Sequence, residues 1–191
     1  KIESLEGDAA RHTGHFGHAM LRAYNRGKKS IALDLRQPRG LEIARRLVAR
    51  ADVLVQNLRP GAAEALGLGA DTLRAVQPGL VYVAITGFPA AAASRDRPGY
   101  DIAAQAESGL MSVTGEPEGL PQKVGVTIVD TATVQVAAQA VLAALFRRER
   151  TGLGETIRIS LLEVALNLQL PNFSDYLVRG VEPTRSGDGQ P

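Results

Sequence analysis

Two hydrophobic periods alternate along this chain. Residues 30–35 alternate apolar and polar side chains, which predicts a strand. After the break at Gln37-Pro38-Arg39-Gly40, Leu41, Ala44, Leu47 and Val48 recur at helical spacing through Arg50. Residues 52–56 predict a second strand, 57–61 a turn and 62–66 a short helix. Asp71 is the expected cap of another helix, ending near Gln77. Residues 80–85 are continuously apolar, as the middle strand of a parallel sheet requires. A small-residue, Pro-rich loop follows over 87–99, then a helix over 101–111 and a loop over 115–122. The apolar run 124–129 predicts a strand that leads directly into a long amphipathic helix over 131–148. Residues 155–159 predict a last strand and 160–170 a helix that Pro171 ends. Residues 5–27 have weak periodicity and read as a loop with one helical turn.

Strands that alternate with helices predict an α/β fold, with an open, mostly parallel sheet, helices on both faces and a Rossmann-like plan. One domain over 1–178 is expected, with 179–191 beginning a linker. The chain opens abruptly on Lys1, so a preceding piece is expected. A hydrophobic content of 45% places it among globular chains.

Composition narrows the chemistry. Aromatics make up only 4% and Trp is absent, which argues against a base-stacking surface. The net charge of +2 fits a local anion site better than a nucleic-acid binder. The absence of Cys excludes thiol catalysis, disulfides and cysteine zinc sites, and fits a cytoplasmic protein. No stretch reads as long enough to span a bilayer, the best being 136–146, which contains Gln139.

Five patterns bear on function. Gly27-Lys28-Lys29-Ser30 leads into a strand rather than a helix, so it is no phosphate-binding P-loop. Arg26, Lys28 and Lys29 are an anion patch or a solvated surface. His12, His15 and His18 are spaced three apart but lack supporting carboxylates, and no metal site is assigned to them. No Gly-x-Ser-x-Gly elbow accompanies these histidines, which argues against a serine hydrolase. Asn57-Leu58-Arg59-Pro60-Gly61 follows a strand end and suits either a phosphate contact or a plain turn. Asp130 falls at the predicted strand-to-helix crossing. There it is either a helix cap or, with ionisation favoured by the helix's positive end, a carboxylate nucleophile.

In this order, these segments resemble the class III CoA-transferases, the formyl-CoA transferase-like family. The resemblance rests on Lys1-Ile2-Glu3, residues 25–35, residues 51–61, residues 80–88, Arg97-Pro98-Gly99-Tyr100-Asp101 and residues 124–154. It implies that Asp130 is the nucleophile, forming first a mixed anhydride and then an aspartyl-CoA thioester. It implies CoA contacts at Leu33, Arg36, Asn57, Leu58, Arg59, Pro98, Gly99, Tyr100 and Asp101. Ala65 stands where some relatives carry a basic CoA contact, and Ser186-Gly187-Asp188-Gly189 where relatives have a mobile loop over the site. Acyl-CoA and a small carboxylic acid are the implied partners, and an interlocked homodimer the implied assembly. The resemblance also implies a large domain incomplete at both ends, its first strand preceding Lys1. No prosthetic group, metal, nucleic acid or membrane is implied. Racemase-like members of the family place His in the Gly-x-Asp turn. Here that position is Tyr100, whose phenol, with an ordinary pKa of about 10, is a poor base at neutral pH. Transferase therefore ranks above racemase, and a non-catalytic CoA-binding module is the remaining alternative.

Overall fold

The computed structural model describes residues 1–189 apart from Thr13, His15, Phe16, Ala92, Ser94 and Arg95. β1 (Ile2–Glu3) and β2 (Ile31–Ala32) pair in parallel, Ile2 opposite Ile31. β3 (Val53–Gln56), β4 (Val81–Thr86) and β5 (Thr156–Ser160) form a second parallel sheet in the order β3-β4-β5. Between and around them run α1 (Gly17–Tyr24), α2 (Pro38–Val48), α3 (Ala62–Ala65) and α4 (Ala70–Val76). α5 (Asp101–Glu107), α6 (Ile128–Thr151), α7 (Leu161–Asn167) and α8 (Leu170–Arg179) complete the order.

The parallel α/β plan expected from the two periods is the plan observed. β4 is central and apolar on both faces. Leu80 and Tyr82 pack with Val48, Leu68 and Leu73 on one side. Val81 and Val83 pack with Ala137, Ala144, Ile159 and Val164 on the other. Because successive strand residues point to opposite faces, one continuous apolar run builds both layers. The one polar side-chain atom in that run is satisfied, since the Tyr82 hydroxyl donates to the Leu68 carbonyl at 3.1 Å.

Several local expectations give way. The run 124–129 is not a strand, because α6 already begins at Ile128. α2 starts at Pro38, whose missing N–H costs nothing in a first turn, so Gln37 to Gly40 opens the helix rather than breaking the chain. Gly69, not Asp71, is the N-cap of α4. Pro171 lies in the first turn of α8, and α7 has already ended at Asn167. The eight-residue α1 replaces the loop expected over much of 5–27. At 24 residues α6 is, by length and composition alone, long and apolar enough to cross a bilayer, contrary to the sequence reading. Here its buried face, Val129, Thr133, Ala137 and Ala144, packs into the protein, Ala137 and Ala144 among the apolar residues of β4 and β5.

Candidate active site

The carboxyl ends of β3, β4 and β5 open onto one groove of about 710 Å³, a size typical of small-molecule sites. β3 runs out into Asn57, Leu58 and Arg59, where the Leu58 N–H donates to Gln56 Oε1 at 2.7 Å. β4 runs out into Gly87, and β5 into Leu161 at the head of α7. This is the crevice where open α/β sheets bind ligands.

Two glycines bring the fourth wall in. The Gly87 and Gly99 backbones cross so closely that a Cβ on either would lie 2.2 Å from the other's Cα. Any side chain at either position would force them apart. The crossing closes the neck of the 88–98 loop and delivers Pro98, Gly99, Tyr100 and Asp101 to the strand ends. Arg97 holds the loop further, donating to Glu107 at 2.6 Å while its guanidinium lies 5.0 Å from the Phe88 ring centroid.

Asp101 then organises the head of α6. It is 8% exposed, and its Oδ2 accepts from the Val129 N–H at 2.8 Å and the Asp130 N–H at 3.0 Å. Its Oδ1 accepts from Gln105 Nε2, while Gln105 Oε1 accepts from the Val124 N–H at 2.9 Å. The N-cap residue, Thr127, makes no side-chain cap bond. The carboxylate of α5 therefore performs the capping that the sequence left open to Asp130, and Asp130 itself occupies the third position of the helix.

That substitution frees the Asp130 side chain, which borders the groove and has no hydrogen-bond partner among the described residues. Its carboxyl is held above the ordinary aspartate range, first by removal from water and then by the neighbouring Asp101 charge. Both effects oppose the help that the positive end of the helix gives to ionisation.

Of the residues singled out in the sequence, the groove gathers Asp130, Asn57, Leu58, Arg59, Pro98, Gly99, Tyr100 and Asp101. Leu33 and Arg36 do not line it. Leu33 continues the β1–β2 pairing through its N–H to the Glu3 carbonyl at 2.9 Å, and Arg36 is paired with Asp34 at 3.0 Å. Ser186 to Gly189 docks on the 112–119 loop rather than over the groove, with the Gly187 N–H donating to Gly115 at 3.1 Å. His12 closes a 3₁₀ turn and His18 lies in α1, while His15 falls outside the described residues. Lys28, read from sequence only as part of an anion patch, borders both the groove and a smaller basic hollow of about 340 Å³ that includes Lys1, Arg11, Arg22 and Arg26. Thr133 and Gln105 escaped the sequence reading. The spacing of Thr133 from Asp130, three residues along one helix, was the only available signal.

With this geometry in place, comparison with known proteins identifies the class. The sequence matches CoA-transferase family III over residues 1–191, and the chain belongs to that family. It is 38% identical over 190 residues to a succinate–glutarate CoA-transferase of Agrobacterium fabrum, the match covering 100% of this chain and 46% of that protein. It is 39% identical over 163 residues to a mouse succinyl-CoA:glutarate CoA-transferase, covering 85% of this chain and 37% of the relative. The crystal structure of a CAIB/BAIF family protein from Brucella suis superposes with a TM-score of 0.94 at 39% identity, covering 100% of this chain and 53% of that one. The chain thus spans between 37% and 53% of the length of these relatives.

Proposed function

We propose that the full-length protein is a CoA-transferase that moves CoA from an acyl-CoA thioester to a carboxylic acid, with Asp130 as nucleophile. The observation that carries this reading is a carboxylate with no hydrogen-bond partner among the described residues, in a groove at the strand ends, flanked by Asn57, Leu58 and Arg59 and by Tyr100 and Asp101. A partly desolvated carboxylate attacks more readily, because it has less hydration to shed.

The steps balance without a redox or metal partner. An Asp130 oxygen bonds to the thioester carbonyl carbon, the C–S bond breaks and CoA leaves as thiolate, giving a mixed anhydride. The thiolate then attacks the Asp130 carbonyl carbon and the donor acid leaves as carboxylate. The acceptor carboxylate attacks the resulting aspartyl thioester, CoA leaves again and attacks the acceptor's acyl carbon, and Asp130 is regenerated. Asn57, Leu58, Arg59, Pro98, Gly99 and Tyr100 are proposed to line the CoA path. Arg59 and Lys28 have no carboxylate partner among the described residues and are available to anionic groups of the substrates.

Relatives named for succinate, glutarate, D-citramalate and mesaconate favour small dicarboxylic acids as donor and acceptor, and one named a probable fatty acyl-CoA transferase makes fatty acyl-CoA the competing donor in the test. A homodimer and a cytoplasmic location complete the proposal. The test combines an acyl-CoA and dicarboxylate panel with mass spectrometry of Asp130 on the full-length protein. CoA exchange and an Asp130-CoA adduct are expected, and Asp130→Asn should lower exchange by at least about 10³-fold, as loss of a covalent nucleophile does. Exchange that survives this substitution sinks the reading.

A further inference from the structure

Thr133 sits one turn beyond Asp130 on the same side of α6, a spacing at which helical side chains are neighbours. It is only 3% exposed, yet it borders the groove. Its hydroxyl has no hydrogen-bond partner among the described residues. The two other threonines within this helix behave differently. Thr131 donates to the Thr127 carbonyl at 2.8 Å and Thr151 to the Arg147 carbonyl at 3.1 Å, the usual bond back along a helix. Thr133 forgoes that bond. A buried hydroxyl without a partner is disfavoured, and such exceptions call for an explanation.

The hydroxyl is sealed from solvent, so a freely diffusing molecule reaches it poorly. A group tethered one turn away is better placed. We propose that the Thr133 hydroxyl donates a hydrogen bond to the carbonyl oxygen that Asp130 acquires once it is acylated, and that it stabilises the oxyanion formed when CoA thiolate attacks that carbonyl. This rests on the reading of Asp130 as nucleophile. In the step concerned, a thiolate lone pair forms the C–S bond and the carbonyl π pair moves to oxygen. The pair then returns, the C–O bond to the departing acid breaks, and that acid leaves as carboxylate. Thr133 keeps its proton throughout and acts only as a donor. On this reading the partner of the hydroxyl is the acylated Asp130 carbonyl.

The hydroxyl's isolation also makes the proposal separable from a packing role. Replacing an unpartnered hydroxyl by a methyl of similar shape is neutral or favourable to folding. In the full-length protein, Thr133→Val is therefore expected to keep or raise the melting temperature. It should leave KM for acyl-CoA within about twofold and lower kcat on the order of 10²-fold, as loss of one oxyanion donor does. Thr133→Ser, which restores the hydroxyl, should recover kcat to within a few-fold. A Thr133→Val enzyme with native kcat overturns the role of Thr133. So does a Thr133→Ser enzyme as slow as the valine variant. Native protein is examined alongside by mass spectrometry for the Asp130-CoA adduct. If native protein forms the adduct while Thr133→Val turns over normally, only the Thr133 role falls. If native protein forms none, the nucleophile reading falls and takes Thr133 with it.

Discussion

Asp130 sits where its charge costs folding energy. Burial and the Asp101 carboxylate raise its pKa above the usual range, so the folded protein holds this proton more tightly than the unfolded chain does. The associated stability is present below the unfolded pKa and is lost as pH rises through the folded value. Asp130→Asn, a neutral mimic of the protonated acid, should thus raise stability at pH 7 and leave it unchanged near pH 3. The gain should not exceed about 1 kcal/mol, since the residue is exposed to the groove and solvent screens it. Urea denaturation at the two pH values measures this, and a variant less stable at pH 7 contradicts it. A reaction that needs the ionised form should lose kcat/KM on an acid limb above the ordinary aspartate range. The identity of this residue was legible from the ordered motifs, but its electrostatics were not. Sequence placed it near a helix end and offered Asp101 only as a CoA contact, not as the second carboxylate beside it, which arrives from 29 positions away.

The start of α6 shows why element boundaries were harder to read than elements. The β-branched residues between 124 and 129 favour extended backbone locally, and the sequence reading followed them. Asp101 outweighs that preference by accepting two of the first free N–H groups of the helix. Asp101→Ala should leave those groups and the Gln105 amide without their acceptor, at a cost of about 2–3 kcal/mol. Hydrogen exchange should show the first turn of α6 opening while β4 stays protected. Asp101→Asn keeps an acceptor and removes the charge. It should cost less stability and shift the acid limb of kcat/KM toward lower pH, because one of the two causes that raise the Asp130 carboxyl is gone. An unchanged acid limb would mean that burial alone sets it. The same competition explains the other boundaries. Pro38 and Pro171 were read as stops, but proline is tolerated in the first turn of a helix, where both lie.

At the scale of the molecule, the period-2 and period-3.6 segments were sufficient to fix a parallel sheet layered by helices. They were not sufficient to show which faces stay uncovered. α6 buries one stripe and leaves Val134, Leu142 and Phe146 exposed at 61%, 66% and 63% on the other. α8 has no buried residue, and its Leu170, Leu177 and Val178 are 57%, 80% and 83% exposed. Periodicity reports that a helix has an apolar side, but an all-round apolar helix gives no sign of which partner meets which side. Large exposed apolar side chains on two helices mark surfaces that another polypeptide segment covers, or that aggregate if none does. The 191-residue chain alone is therefore expected to self-associate at micromolar concentration and to bind a hydrophobic dye. Leu177→Asp combined with Val178→Asp should reduce both effects. Folding stability should change by no more than about 0.5 kcal/mol, because neither side chain contributes to the core. Light scattering coupled to gel filtration reads the first effect, and dye fluorescence the second. A native chain that elutes as a dye-silent monomer would show that these faces are harmless to water, and would remove the physical argument for a partner on α8.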